Sequence, residues 1–278
     1  MIGRFDSLRP GEGILHLSRV AGRTAIVRAA ATSPLKLLMP RRPGPAAWIY
    51  TSTYGGGLVA GDDIGLRIRL GSQTICVIGT QSTTKVYKSS HNRVCRQTLA
   101  ATVDDGALLV VAPDPVSCFD GANYEQRQRI ELHRGGALVV VDWLTSGRRC
   151  RGEQWKMSRY ASRLEVAVDG TPVLTDAWRL SPEDGPLESP FRMGRFHCAA
   201  ALAIIGSPLA EAASRELADS ARIPFAPDAP LIEAASPIPH GIVVRLLGET
   251  PELVGRRLIE RLSFLASRLG ESPWSRKW

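Results

Sequence analysis

Two adjacent acids, Asp62 and Asp63, follow a glycine-rich turn and are the first candidates for chemistry in this sequence. Paired carboxylates can act as general acid and base, or can hold a divalent cation weakly through their oxygens. Successive side chains of an extended strand point to opposite faces, which argues against a shared mechanism. The structural alternative is that an Asp after Gly caps the turn through its own side chain. The sequence leaves both interpretations open.

The glycines at positions 55–57 and 61 resemble a phosphate-binding loop in number but not in context. A P-loop requires Lys and then Ser or Thr after its last glycine, followed by a helix. Here the two acids and a predicted strand follow Gly61, and a dinucleotide fingerprint fails because no helix follows. We therefore predict a tight turn and no nucleotide site.

Residues 80–85, with the sequence TQSTTK, form a dense row of hydroxyl and amide side chains that ends in a lysine. A nucleophilic Ser or Thr needs a nearby base. His91 is close in sequence, but no GxSxG or SxxK signature surrounds it, so a small hydrolase is kept only as an alternative. The row suits a polar path or contacts with a partner, and the residues assigned to that role are Thr83, Thr84, Lys85, Tyr87 and the proline-flanked Asp114.

Three arginines, Arg148, Arg149 and Arg151, lie between two glycines after an apolar strand. Glycine on both sides predicts an exposed, positively charged hairpin tip. Because guanidinium groups are enriched in protein interfaces, we predict contact with an acidic partner surface, with a solvated turn as the alternative.

Length and composition predict one packed domain over residues 1–278, with a soft internal boundary near residue 195. We find no apolar run of about 18 residues and no apolar segment at the start, so we expect a cytoplasmic protein without a membrane span. Five scattered cysteines and five scattered histidines predict reduced thiols and no preformed zinc site.

The formal net charge of +8 comes from arginines spread along the whole chain. A basic nucleic-acid-binding protein is therefore kept as an alternative but not expected. An acidic protein partner explains the charge equally well.

Residues 13–180 are predicted to be mainly strands, because apolar and polar residues alternate, as in Ile64 to Leu70. A strand, a short glycine-containing turn and an apolar strand recur three times. Ile75, Leu108 and Leu138 hold matching places in the three copies, 33 and 30 residues apart. Such a period predicts a layered, β-helix-like stack of strands, since the long helices of a Rossmann fold are missing.

Two α-helices are predicted in the C-terminal third. Ser207 and Thr250 each precede a proline and are predicted N-caps. The second helix is predicted to bury Leu253, Leu258, Leu262, Leu265 and Leu269 and to expose Arg256, Arg257, Glu260, Arg261 and Arg268.

Four segments, GGGLVAGDD, TQSTTKVYKS, PDPVSCFDGANYEQ and TSGRRCRGEQW, resemble the urease accessory protein D family, UreD, also called UreH. HGIVVRLLG near residue 240 and the terminal Trp278 extend the resemblance over residues 11–278. It implies a non-catalytic maturation factor, built as a helical stack of β-strands with a pair of helices. It also implies partners: apo-urease and UreF directly, the GTPase UreG through UreF, in a hetero-oligomer that delivers nickel to urease.

The resemblance implies no tightly bound cofactor, only transient Ni²⁺. A conduit should hold the ion weakly, because imidazole and thiolate ligands would trap Ni²⁺. We therefore expect carboxylates and hydroxyls to line or flank the path, and the residues assigned to it are Asp62, Asp63, Thr83, Thr84, Asp142 and Glu153.

Overall fold

The computed structural model describes residues 8–42, 44–223 and 226–275, so Trp278 lies outside the described residues. Strands dominate, as predicted, and the helices lie in the C-terminal part. Numbered in chain order, the strands are β1 (Glu12–Val20), β2 (Arg23–Ala31), β3 (Leu35–Leu38), β4 (Ala47–Thr53), β5 (Asp63–Leu70), β6 (Ile75–Thr80), β7 (Thr84–Val86), β8 (Cys95–Val103), β9 (Leu108–Val111), β10 (Val116–Cys118), β11 (Asn123–Leu132), β12 (Ala137–Thr145), β13 (Arg159–Val168), β14 (Thr171–Leu180), β15 (Cys198–Ile205), β16 (Leu231–Ile238) and β17 (Gly241–Gly248). The α-helices are α1 (Ala210–Ala221), α2 (Pro251–Arg261) and α3 (Ala266–Leu269).

The central strands form a coil in which the chain passes alternately through two sheets. Strands β5, β8, β11 and β13 are parallel neighbours in a seven-stranded sheet. Strands β4, β6, β9 and β12 are parallel neighbours in a ten-stranded sheet. Because each turn of the coil stacks on the one before, parallel pairing arises here without helical crossovers. The predicted layered β-structure is confirmed.

The predicted register of the repeat is right for two copies and wrong by one residue for the third. Ile75 pairs with Leu108, but Leu108 pairs with Ala137, and Leu138 pairs with Leu109. The three turns are equal in length, so Ala137 lies five residues after Leu132, just as Leu108 lies five residues after Val103. The larger apolar residue of the third copy, Leu138, comes one place later. Because strand side chains alternate, the shift places Leu138 between the sheets and Ala137 on the helix side.

Close stacking of the coils explains the glycine in that turn. A Cβ added at Gly135 would lie 1.9 Å from Oδ1 of Asp105 in the coil below. Any side chain at this position would require the exposed Asp105 side chain to move.

The ten-stranded sheet is the middle layer of the protein. One face packs on the seven-stranded sheet through residues such as Leu109, Leu138 and Ile68. The other face packs on the helices through Val139, Leu202 and Leu258. Burial on both faces explains why its strands are continuous apolar runs. None of the described helices is long and apolar enough to span a membrane.

The helices correct part of the prediction. Thr250 caps α2, accepting a hydrogen bond from the Leu253 N–H at 3.3 Å, as predicted. Ser207 is not a cap: it begins a 3₁₀ turn, α1 starts at Ala210, and the Ser207 hydroxyl makes no capping bond. The second predicted helix ends at Arg261 and continues as a 3₁₀ turn and α3.

Arg261 was predicted on the polar face of the second helix but is buried. Its side chain is 6% exposed and ion-pairs with Glu216 of α1, at 3.0 Å, and with Glu233 of β16. Arg261 follows Leu258 by three residues and Val254 by seven, so it shares their buried face of the helix, where acids of two other elements neutralise its charge.

Candidate functional site

A row of polar side chains crosses the interior face of the seven-stranded sheet. Gln97 of β8, Gln126 of β11 and Ser162 of β13 are in register beside Ile64 of β5. The next row contains Leu66, Leu99 and Leu164 with one polar member, Gln128, and the rows beyond it are apolar. Polar groups between two apolar sheets are costly unless they have hydrogen-bond partners, so this row marks a specialised layer.

A cavity of about 60 Å³ lies against this row, between the two sheets. The seven-stranded sheet contributes Gln97, Thr98, Gln126 and Gln128. The opposite wall contributes Thr80, Thr84, Asp114 and Asp142, with apolar side chains such as Ile78 and Val111 between them. The polar lining is therefore made of hydroxyl, amide and carboxylate groups.

A second cavity, of about 50 Å³, continues the first toward the surface. The two share Thr51, Thr80, Thr84 and Gln97 as wall residues. The outer cavity is also bounded by residues 56–57 of the glycine-rich turn and 81–83 of the TQSTTK segment, of which Gly56, Gln81 and Ser82 are exposed. We call the two cavities together the polar passage, with its mouth at these exposed residues.

Asp142 lies at the inner part of the passage, 7% exposed, on the otherwise apolar strand β12. Its carboxylate accepts hydrogen bonds from the Gln126 amide at 3.1 Å, from the Tyr160 hydroxyl at 3.3 Å and from the Ser162 hydroxyl. Burial raises the pKa of Asp142, and these three donors oppose the rise. The Tyr124 hydroxyl, which donates to Gln97 Oε1 at 2.8 Å, lies 3.1 Å from Gln126 Oε1 and extends the network along the passage.

Asp114 lies on the same wall as Asp142, opposite the seven-stranded sheet, and is next to Thr80. The Asp114 N–H donates to Thr80 Oγ1 at 2.8 Å, and the Thr80 hydroxyl lies 3.4 Å from Asp114 Oδ2. The flanking prolines fix the backbone there, as the sequence predicted. The passage therefore holds two carboxylates, Asp114 and Asp142.

Asp62 and Asp63 lie outside the lining of both cavities. Asp62 caps its turn: Oδ2 accepts from the Val59 N–H at 2.9 Å. Asp63 is exposed at the start of β5. The two therefore do not act as a pair, and the contacts of Asp62 match the structural alternative.

Glu153 and Arg148 were assigned separate roles, but the structure brings them together. The Arg148 Nε–H donates to Glu153 Oε2 at 2.8 Å, and this pairing lowers the pKa of Glu153. The Arg148 guanidinium also lies 4.0 Å from the ring centroid of Phe119, which contacts Tyr87 edge-on at 5.4 Å. Arg148 therefore already has two partners within the protein, Glu153 and Phe119.

Arg149 and Arg151 are exposed and form no ion pair with any described residue. Their segment is a 3₁₀ turn that links β12 in one sheet to β13 in the other, so the predicted hairpin tip is wrong in form. The coil topology makes every such link a crossing between sheets. Lys85 is also exposed, and in the described structure His91 forms no hydrogen bond with Thr83 or Thr84.

The lining contains residues that were not predicted, Thr51, Gln97, Gln126 and Gln128, and Ser162 contacts Asp142 beside it. A signal for two of them was present. Gln97 and Gln126 interrupt the interior positions of β8 and β11 at the same point of successive coils. Aligning the repeats by their strands would have exposed this polar row.

The described residues contain no group of three or more His, Cys, Asp or Glu side chains arranged to hold a metal ion. The thiols of Cys76, Cys118 and Cys198 are buried, and burial raises their pKa, which keeps them protonated. The passage therefore offers oxygen ligands and no thiolate.

Comparison with known proteins identifies the relatives of this chain. The model of a family described as UreD urease accessory protein matches residues 9–278. A urease accessory protein UreD from Sorangium cellulosum is 47% identical, over 97% of this chain and 85% of its own length. The UreD of Anaeromyxobacter sp. is 41% identical, over 97% and 90%. A urease accessory protein D from Arabidopsis thaliana is 32% identical, over 95% and 99%.

Proposed function

Because the chain belongs to the UreD urease accessory protein family, we propose that it is a non-catalytic maturation factor whose polar passage guides Ni²⁺ toward apo-urease. In this proposal it binds apo-urease and UreF directly and reaches the GTPase UreG through UreF. Nickel is the cargo, and the chain itself transforms no substrate.

The observation that carries the proposal is the chemistry of the passage. Its lining combines hydroxyl, amide and carboxylate oxygens with apolar side chains and includes no His or Cys. Ni²⁺ binds imidazole and thiolate strongly and oxygen ligands weakly, so such a lining can pass the ion on without retaining it. Asp114 and Asp142 supply the negative charge that a cation needs between two apolar sheets.

The mouth of the passage fits this role. The glycine-rich turn and residues 81–83 border it, and these belong to two of the segments that resemble the family. A partner seated there would deliver the ion directly into the outer cavity. For Asp62, Asp63 and Glu153 the contacts favour structural or surface roles, and their part in the nickel path stays a prediction.

Co-expression with urease, UreF and UreG tests the proposal. Asp142→Asn keeps the size of the side chain and removes its charge, and Asp63→Asn is the matched control on the exposed face. We expect urease to contain about tenfold less nickel with Asp142→Asn and a normal amount with the control. A tenfold change corresponds to about 1.4 kcal/mol in the free energy of nickel transfer. Nickel is measured by mass spectrometry of purified urease, and complex formation by pull-down. Full loading by Asp142→Asn, with the complex intact, would overturn the proposal.

A further inference from the structure

One side of the β-sandwich is open. Strands β2 and β3 are consecutive in the chain, yet each is the last strand of a different sheet. Within the described residues β2 pairs only with β1, and β3 only with β4. Both strands therefore present a free edge, with unpaired backbone groups, on the same side of the molecule.

A groove of about 310 Å³ lies between these two edges. It is lined by residues 29–31 of β2, 35–38 of β3 and Met39 after it, and all of them except Lys36 are apolar. A bulge at Val27 breaks the pairing of β2 with β1, so residues 28–31 form a regular stretch of edge beside the groove. Met39 is 44% exposed at the rim. The groove thus combines free backbone groups with an apolar floor.

The chain segment that forms the groove carries only basic charges. Residues 13–61 contain six Lys or Arg and not one Asp or Glu. Arg23 and Arg28, both on β2, are exposed and form no ion pair with any described residue. Lys36 lies 3.5 Å from the ring centroid of Tyr54, which leaves its charge without an anionic partner.

The opposite side of the sandwich is protected. Its edge strands, β14 and β16, each contain a proline, Pro172 and Pro237. An ion pair between Asp176 and Arg245, at 2.5 Å, joins the two sheets there. Proline and charge are the usual means by which proteins block the edge of a sheet. Residues 28–31 contain no proline, and their single charge, Arg28, is cationic.

We propose that this groove binds an extended, acidic segment of a partner protein by strand addition to residues 28–31 of β2. The segment would hydrogen-bond to the free edge through its backbone. Its alternate apolar side chains would enter the groove, and its carboxylates would face Arg23 and Arg28. The groove adjoins the passage, since Leu35 lines both, but residues 28–31 are not part of the passage lining and the groove includes neither Arg149 nor Arg151, so this inference goes beyond the proposed nickel path.

A fluorescent peptide of alternating Glu and Val is the probe. Its anisotropy is measured with the full chain and with two variants that place Glu on exposed edge strands, Ala29→Glu at the groove and Ala177→Glu on β14. We expect Ala29→Glu to raise Kd about tenfold or more and Ala177→Glu to leave it within about twofold. Hydrogen exchange should slow at residues 28–31 when the peptide binds. Equal melting temperatures of the two variants establish that Ala29→Glu is folded.

Three results would overturn the proposal. The first is equal binding of a Lys-Val peptide, which shows that charge does not select the ligand. The second is equal binding of the same peptide with alternate backbone nitrogens methylated, or of oligo-dT, because neither can add as a strand. The third is a dimer of the chain that Ala29→Glu dissociates, which makes a second copy the occupant.

Discussion

Replacing Arg261 by Met is predicted to destabilise the protein by removing the cation from a buried cluster. The side chains of Arg261, Glu233 and Glu216 are 6%, 2% and 10% exposed. Removing one partner of a buried ion pair typically costs about 3–5 kcal/mol, because the remaining charge is left unpaired. Met fills most of the apolar volume of the arginine stem, so the loss is mainly electrostatic.

Two neighbouring side chains place the expected loss of stability at the lower end of this range. The Arg257 Nε lies 3.5 Å from Glu233 and remains to neutralise it in part. Burial already raises the pKa of Glu216, so this carboxyl can take up a proton instead of staying charged. We therefore expect a loss of about 3 kcal/mol. For a domain of this size that corresponds to a melting temperature lower by roughly 6–12 °C, at about 2–4 °C per kcal/mol.

The measurement is thermal unfolding of the purified chain followed by circular dichroism. Arg256→Met is the matched control, because Arg256 lies on the same helix, is exposed and forms no ion pair with any described residue. A carboxyl whose folded pKa is raised stabilises the fold at low pH and loses this contribution as pH rises. The defect of Arg261→Met should therefore grow as pH rises above the ordinary glutamate pKa of about 4.3. Equal melting temperatures for the two variants would refute the reasoning.

Three further predictions concern the passage, a helix start and the arginine segment. Burial raises the pKa of Asp142 in the folded chain, so the stability that this carboxyl contributes is lost as pH rises. The melting temperature of Asp142→Asn, relative to the unmodified chain, should therefore increase as pH rises above the ordinary aspartate pKa of about 3.9, and a constant difference contradicts this. Thr250→Ala removes the cap of α2 and should cost about 1 kcal/mol in denaturant unfolding, whereas no change would show that the cap is dispensable. Reversing the exposed charges, Arg149→Glu with Arg151→Glu, should weaken pull-down of the partner complex at low salt without lowering the melting temperature. Unchanged pull-down removes these residues from the interface.

The coil architecture was predictable because each copy of the repeat carries its own local signal. Strand alternation, a glycine turn and an apolar strand recur in sequence, and parallel stacking follows from that order. The register of the third copy was misplaced because the large apolar residues were matched by type. Counting from the preceding strands, Val103 and Leu132, gives equal turns and pairs Leu108 with Ala137.

The candidate site was predictable in part. Asp142 is a single acid within an apolar strand, and Asp114 lies between two prolines, and both line the passage. Asp62 and Asp63 have the stronger local signal, yet they lie outside it, because the turn directs one carboxylate to a backbone N–H and the other to solvent. The residues next to an acid in the sequence do not indicate whether its side chain lies between the two sheets.

The burial of Arg261 was also not predicted from the sequence. Helical periodicity places Arg261 on the same face as Val254 and Leu258, but its charge assigned it to the polar face in the prediction. The third element that packs on α2 is β16, which contributes Glu233 from a distant part of the sequence. The burial of a charged residue by a distant partner depends on tertiary contacts that periodicity does not encode.

Reversible blockage of the mouth tests the nickel passage most directly. Thr83→Cys, in a chain with Cys150→Ser, places one accessible thiol on the outer cavity, because the other four cysteines are buried. A bulky methanethiosulfonate label is attached and later removed with a reductant, and nickel transfer to apo-urease is measured in the purified complex. The same label on Ser72→Cys, in an exposed turn, is the control. We predict that the label at Thr83→Cys stops transfer, that a methyl label does not, and that reduction restores it. Full transfer with the bulky label in place, and the complex intact, would contradict passage of nickel through the protein.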